Sequence, residues 1–283
     1  MITLALVLSL TSNICLADTE SEATRKLKGF INDNLSAKHI DQIKSLIDQG
    51  ADVNVAKPRS ETLLFQASFA GHLEIVKLLL SNGAQVDKPT NNGYTPLYAA
   101  TERGHVEVVT VLLANGAQVD KPDNNGFTPL LMASQKGHVE VVKILLANGA
   151  QVDKPVKHGV TPLLMASHNG RAGVVAALLA NGAQVDKSAD NGITPLFMAS
   201  NNGHTEVVKI LLANGAQVNK PANNGYTPLF VASRNGHAEV VKALLTKGAR
   251  TDISVKGYTA LRLAEKNGHP EIVDLLKKHG AEK

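Results

Sequence analysis

The 283-residue sequence predicts an all-α protein, a solenoid of stacked short helix pairs joined by turn arms. Three observations lead there. The stretch from Asn91 to Asp123, NNGYTPLYAATERGHVEVVTVLLANGAQVDKPD, returns in pattern from Asn124, Lys157, Asp190 and Asn223. Thr95, Thr128, Thr161, Thr194 and Thr227 fall 33 residues apart, as do Gly116, Gly149, Gly182 and Gly215, and a fixed period of that size marks stacked supersecondary units. Each copy also holds two apolar-rich segments too short to be stable alone in water, so each must pack against its neighbours.

Met1 to Ala17, MITLALVLSLTSNICLA, is apolar through Leu10 and ends Cys15-Leu16-Ala17. It reads as a secretory leader cleaved near Ala17, although no basic residue precedes the apolar run. The run is too short to span a bilayer, so no stable membrane insertion is expected. Asn13 and Ile14 stand where a lipid-anchored Cys15 would need small residues. Cys15 is the only cysteine. A mature chain beginning at Asp18 would therefore have no disulfide, metal thiolate or cysteine nucleophile.

Residues 18–25 are polar and read as a flexible lead-in to a single array over 26–283. Leu27, Phe30, Ile31 and Leu35 have helical spacing, as do Ile40, Ile43, Leu46 and Ile47, which precede Gly50-Ala51-Asp52-Val53-Asn54. This first unit lacks the Thr-Pro turn. Its Lys26, Lys28, Lys38, Asp41 and Lys44 suit the water-facing side of a terminal cap.

In the central unit Thr95 offers a hydroxyl to the free N–H groups of a first helical turn, and Pro96 has the fixed φ suited to the first helical position. The helix can run to Arg103, because Gly104 suits the left-handed backbone that ends it. A second helix is predicted over Val106 to Ala114, ended by Asn115-Gly116. Gln118 to Gly126, rich in Pro, Asp, Asn and Gly, should form an extended arm with a tight turn. Arg262, Glu265, Lys266, Asp274, Lys277 and Lys278 make the final unit a second cap.

The motifs TPLYAA, GHVEVV and LLANGAQVD resemble the ankyrin repeat in spacing and residue type, over nearly everything after the first two dozen residues. The resemblance implies eight units, near 22–57, 58–90, 91–123, 124–156, 157–189, 190–222, 223–255 and 256–283. The family usually has His after Thr-Pro-Leu. Here that place holds Tyr98, Leu131, Leu164, Phe197 and Phe230, with Phe65 and Arg262 in the flanking units, so the buried seam between units should grow. Unit 157–189 also departs, with Arg171 for His, Gly173 for Glu and Ala176 for Lys. A plainer convex surface and a locally softer helix are expected there.

Little points to chemistry. His72, His105, His138, His204, His237 and His269 recur one unit apart, whereas a zinc site needs ligands within about 2 Å of one point. They read as structural. Glu74 and Lys77, Glu140 and Lys143, Glu206 and Lys209, and Glu239 and Lys242 read as surface ion pairs. No phosphate loop or nucleophile elbow appears, so no cofactor or metal is expected and an enzyme is the poorest fit. A formal net charge of +4 over the whole chain gives no concentrated basic field for nucleic acid.

Positions that vary between units are free to serve a partner. The first set precedes each turn Thr: Tyr94, Phe127, Val160, Ile193, Tyr226 and Tyr258. By resemblance it lies at the base of the arm on the concave side, with local packing as the competing role. The second ends the first helix: Glu102, Arg103, Gln135, Lys136, His168, Asn169, Asn201, Asn202, Arg234 and Asn235, with solvation as the competing role. The third, Lys88, Lys121, Lys154, Lys187 and Lys220, lies beside Asp87, Asp120, Asp153, Asp186 and Asn219 and reads as a solvated edge. These readings together predict an exported, monomeric, non-catalytic module binding another protein through its concave face and arms. The alternatives are an inhibitor or protective partner of a periplasmic enzyme, and a secreted effector binding a host protein. If the leader does not function, the protein stays in the cytoplasm.

Overall fold

The computed structural model describes residues 20–32 and 35–282; the leader expected at 1–17 lies outside them. Among the described residues sixteen α-helices follow one another in pairs. They are α1 Glu22–Lys28 with α2 Ile40–Asp48, α3 Leu63–Ala70 with α4 Leu73–Ser81, α5 Pro96–Arg103 with α6 Val106–Ala114, and α7 Pro129–Lys136 with α8 Val139–Ala147. Then come α9 Pro162–His168 with α10 Ala172–Ala180, α11 Pro195–Asn202 with α12 Thr205–Ala213, α13 Pro228–Asn235 with α14 Ala238–Thr246, and α15 Ala260–Lys266 with α16 Pro270–Lys278. Eight pairs correspond to the eight expected units.

The local chemistry of one pair repeats through the array. Thr95 Oγ1 accepts the Tyr98 N–H at 3.1 Å, and Pro96 fills the first turn, where a missing N–H costs nothing. Gly104 ends α5 at φ +77, a conformation cheap for glycine alone. Asn115 closes α6, its Nδ2 donating to the Val111 carbonyl at 2.8 Å. The arm then turns back through Asp123 N to Phe127 O and Gly126 N to Asp123 O, both 3.0 Å.

The first helices from α3 to α15 pack on one another in one layer, and the second helices form a looser parallel layer behind them. Leu97, Leu130, Leu163, Leu196, Leu229 and Leu261 in the first layer, and Val109, Val142, Val175, Val208 and Val241 in the second, are buried. They belong to one apolar cluster that runs from Leu27 to Leu276, each full burial contributing about 1.5–3 kcal/mol. The enlarged seam is present: Tyr98, Leu131, Leu164, Phe197 and Phe230 are buried. Phe65 is half-buried and Arg262 is exposed, so the seam thins at both ends.

Three expectations change. The polar lead-in is helical from Glu22, because the Ser21 hydroxyl accepts the Thr24 N–H and caps α1; Phe30 and Ile31 follow in a turn rather than in the helix. Four of the five lysines in the row are not a solvated edge, Lys187 being the exception. Lys88, Lys121, Lys154 and Lys220 each donate from Nζ to the preceding arm, to the carbonyls of Asn54, Asp87, Asp120 and Asp186 at 2.8–3.3 Å. The neighbouring carboxylates of Asp87, Asp120, Asp153 and Asp186 accept the N–H of Gln118, Gln151, Gln184 and Gln217 in the next arm. Finally, the ion pairs form at Glu74–Lys77, Glu140–Lys143 and Glu206–Lys209, but no pair closes between Glu239 and Lys242 among the described residues.

Unit 157–189 is stacked differently. A Cβ on Gly173 would lie 2.9 Å from Val139 Cγ2, so α10 sits too close to α8 for the usual Glu. Its hairpin tip, Lys157–Gly159, is a short 3-10 turn with His158 at φ +63.

Candidate protein-binding surface

The recurring histidines have one task. Nε2 of His105, His138, His204, His237 and His269 donates to a backbone carbonyl near the end of the previous first helix, on Phe69, Glu102, His168, Asn201 and Arg234, and Nε2 of His72 to Leu35 O in the connection between α1 and α2, at 2.8–3.2 Å. Each ring from His105 onward also covers a glycine of the previous unit. A Cβ on Gly104 would stand 2.7 Å from His138 Nδ1. Arg171 substitutes with Nε donating to Gln135 O at 3.2 Å, so the departure in unit 157–189 preserves the tie. Among the described residues no group of three His, Cys, Asp or Glu could hold a metal ion, and no helix is long and apolar enough to cross a membrane.

The first predicted set divides. Tyr94 stacks on Tyr98 with ring centroids 4.8 Å apart, and Tyr226 on Phe230 at 4.6 Å. Ile193 and Tyr226 pack against a small buried cluster of Phe197, Ala222, Phe230, Val231 and Leu263. Phe127 is half-buried, its backbone N–H held by the Asp123 carboxylate at 2.8 Å, and Val160 is half-buried beside the altered tip. Only Tyr258 is exposed, at 40%, with Lys266 Nζ 4.9 Å above its ring. Local packing therefore takes one face of most of these side chains and leaves the other to solvent.

The second set forms a ladder across units. Lys136 Nζ lies 3.6 Å from Glu102 Oε1. Asn202 Nδ2 donates to His168 O at 2.9 Å, Asn235 Nδ2 to Asn201 O at 2.8 Å, and Arg234 reaches Asn201 Oδ1 at 3.4 Å. Asn169 turns back to its own helix, bonding Met165 O. Gln135 contributes its carbonyl to Arg171. Arg103 does something different: its guanidinium lies over the ring of Phe69, 4.1 Å from the centroid.

Burial also shapes the acid-base behaviour of this surface. Enclosure of the Tyr98 phenol pushes its pKa up, helped by the negative charge of Asp123 nearby. Sequence reasoning missed Gln66, Phe69 and Asn267 as parts of this face. Asn267 Nδ2 extends the ladder to Arg234 O at 2.7 Å. Gln66 was detectable by comparing units, since Ala99, Met132, Met165, Met198, Val231 and Leu263 stand in its place.

A family model described as ankyrin repeats (3 copies) matches residues 34–123, 116–189 and 196–283, and one described as ankyrin repeats (many copies) matches residues 171–212. Among solved structures, the crystal structure of the human ASB11 ankyrin repeat domain is 31% identical. That match covers 76% of this chain and 98% of that chain, with a TM-score of 0.70. None of the curated proteins matches.

Proposed function

This chain belongs to the ankyrin repeat family, a family of protein interaction modules, and on that basis we propose that it is exported and grips one protein partner through its first-helix face and arms, without catalysis. One observation carries the reading. The residues that differ most between units, from Glu102 and Arg103 to Arg234 and Asn235, share one face, whereas the second-helix face repeats the same Glu and Lys pairs. A side held stiff by inter-unit bonds loses little entropy on binding, and a few rings and guanidinium groups can supply most of the affinity.

Export rests on the leader at 1–17 and is read by the mass of the protein recovered outside the cytoplasm: it should begin at Asp18, and a cytoplasmic protein retaining Met1 overturns that part. For the face, Y94S/F127S/Y226S is compared with K77A/K143A/K209A in partner capture. The first should lose capture and the second keep it. Capture that survives the first variant overturns the assignment, whatever the second does.

A further inference from the structure

We infer that the first-helix face holds a carboxylate subsite between α3 and α5, built by Gln66, Arg103 and the ring of Phe69, and that the partner inserts an Asp or Glu side chain there. The inference rests on the first-helix face being the gripping surface. Gln66 is 8% exposed and makes no hydrogen bond among the described residues. At this place the other units carry only apolar side chains. Neither amide atom is shut off from water without a partner, so the amide end of this otherwise enclosed side chain opens onto the groove, where a packing residue such as Met would offer no donor.

The amide lines an open groove of about 750 Å³ together with Phe69, Ala70, Arg103 and His105. Two further substitutions shape it. Phe69 is apolar where the later units carry Glu102, Gln135, His168, Asn201, Arg234 and Lys266, and Ala70 is small where they carry Arg103, Lys136, Asn169, Asn202, Asn235 and Asn267. The short side chain leaves space, and the Arg103 guanidinium carbon lies over the ring, 4.1 Å from its centroid.

Arg103 is exposed and forms no ion pair among the described residues, its neighbour Glu102 being engaged by Lys136 at 3.6 Å. No carboxylate lines the groove to repel an anion. His105 is already committed, its Nε2 holding the Phe69 carbonyl at 3.1 Å and so fixing the helix end that carries the ring. A planar guanidinium held over a ring presents paired N–H donors that match a carboxylate. The Gln66 NH2 group adds a donor from the groove floor, and Phe69 takes the methylene groups of the inserted side chain.

The test uses the 15N-labelled full-length protein titrated with N-acetyl-glutamate N-methylamide, with the glutamine analogue as the uncharged control. The Gln66 side-chain NH2 and Arg103 Nε–H signals should move saturably with the glutamate compound and not with the control. Q66M and R103N place residues found at the same positions in other units, so melting curves should stay close to wild type. Each should weaken the response at least tenfold. Equal responses to both compounds, none to either, or an unchanged response in R103N overturn the subsite. Failure of the gripping-face reading appears separately, as partner capture that survives Y94S/F127S/Y226S while the glutamate titration still saturates.

Discussion

His138 shows how a side chain repeated along the chain can be wholly structural. Its Nε2–H ties Glu102 O at 3.1 Å while its ring covers Gly104. H138A should lower unfolding free energy by about 1–1.5 kcal/mol through the lost bond. G104A should do more, from left-handed strain at φ +77 plus collision with the ring. In urea titrations the double variant should fall short of the sum by about 0.5–3 kcal/mol, because removing the ring relieves the collision; strict additivity would separate the two residues. Tyr98 gives a pH test. Its phenol is pushed above the ordinary value of 10.0. The unfolded chain therefore ionises first as pH rises past about 10, and stability present below that is progressively lost. Y98L, the residue of units 124–156 and 157–189 at this place, should flatten that alkaline fall in denaturation profiles; an unchanged slope would assign it to other groups. At this scale Thr-Pro caps and glycine stops were legible, because their chemistry is local. Gln66 was legible only by aligning the units, where it stands among Ala, Met, Val and Leu; its own helix read alone does not show that its place is buried.

Hairpin arms were legible as turns but not as a bonded ladder, since the partner of each Lys and Asp lies one full unit away. The same ladder shows where it is weakest. Arm tips are joined by Asn91 N to Arg59 O, Asn124 N to Asn92 O, Asp190 N to His158 O and Asn223 N to Asn191 O, each 3.0 Å. No such bond forms among the described residues between units 124–156 and 157–189 or between units 223–255 and 256–283; of the two junctions the first is internal, and there Gly126 faces open space. His158 at φ +63 adds strain of about 1 kcal/mol or more. K157N/H158N supplies the residue that donates from Asn124 Nδ2 to Asn91 O at 2.8 Å and one that tolerates positive φ. The urea midpoint should rise, by about 1–2 kcal/mol of stability; a lower midpoint would mean the altered tip is the better fit to its seam. The softness expected of α10 has a different physical content here, since Gly173 permits close packing on Val139.

Across the whole molecule, periodicity carries the architecture, because a unit that cannot bury its apolar residues alone has only its neighbours to use. Unit number, helix boundaries in the central copies and the caps follow from that requirement. The proposed binding face was legible only as a set of variable positions; which of them pack locally, as Tyr94 and Tyr226 do, depends on ring contacts that spacing does not encode. The central claim is that one face of a stiff array holds a protein. Hydrogen exchange of the protein, free and with its captured partner, tests it most directly. Protection should gather on the arm tips and the ends of α3, α5, α7, α9, α11 and α13, strongest near Phe69 and Arg103. Protection confined to α4, α6, α8, α10, α12 and α14 would contradict the account.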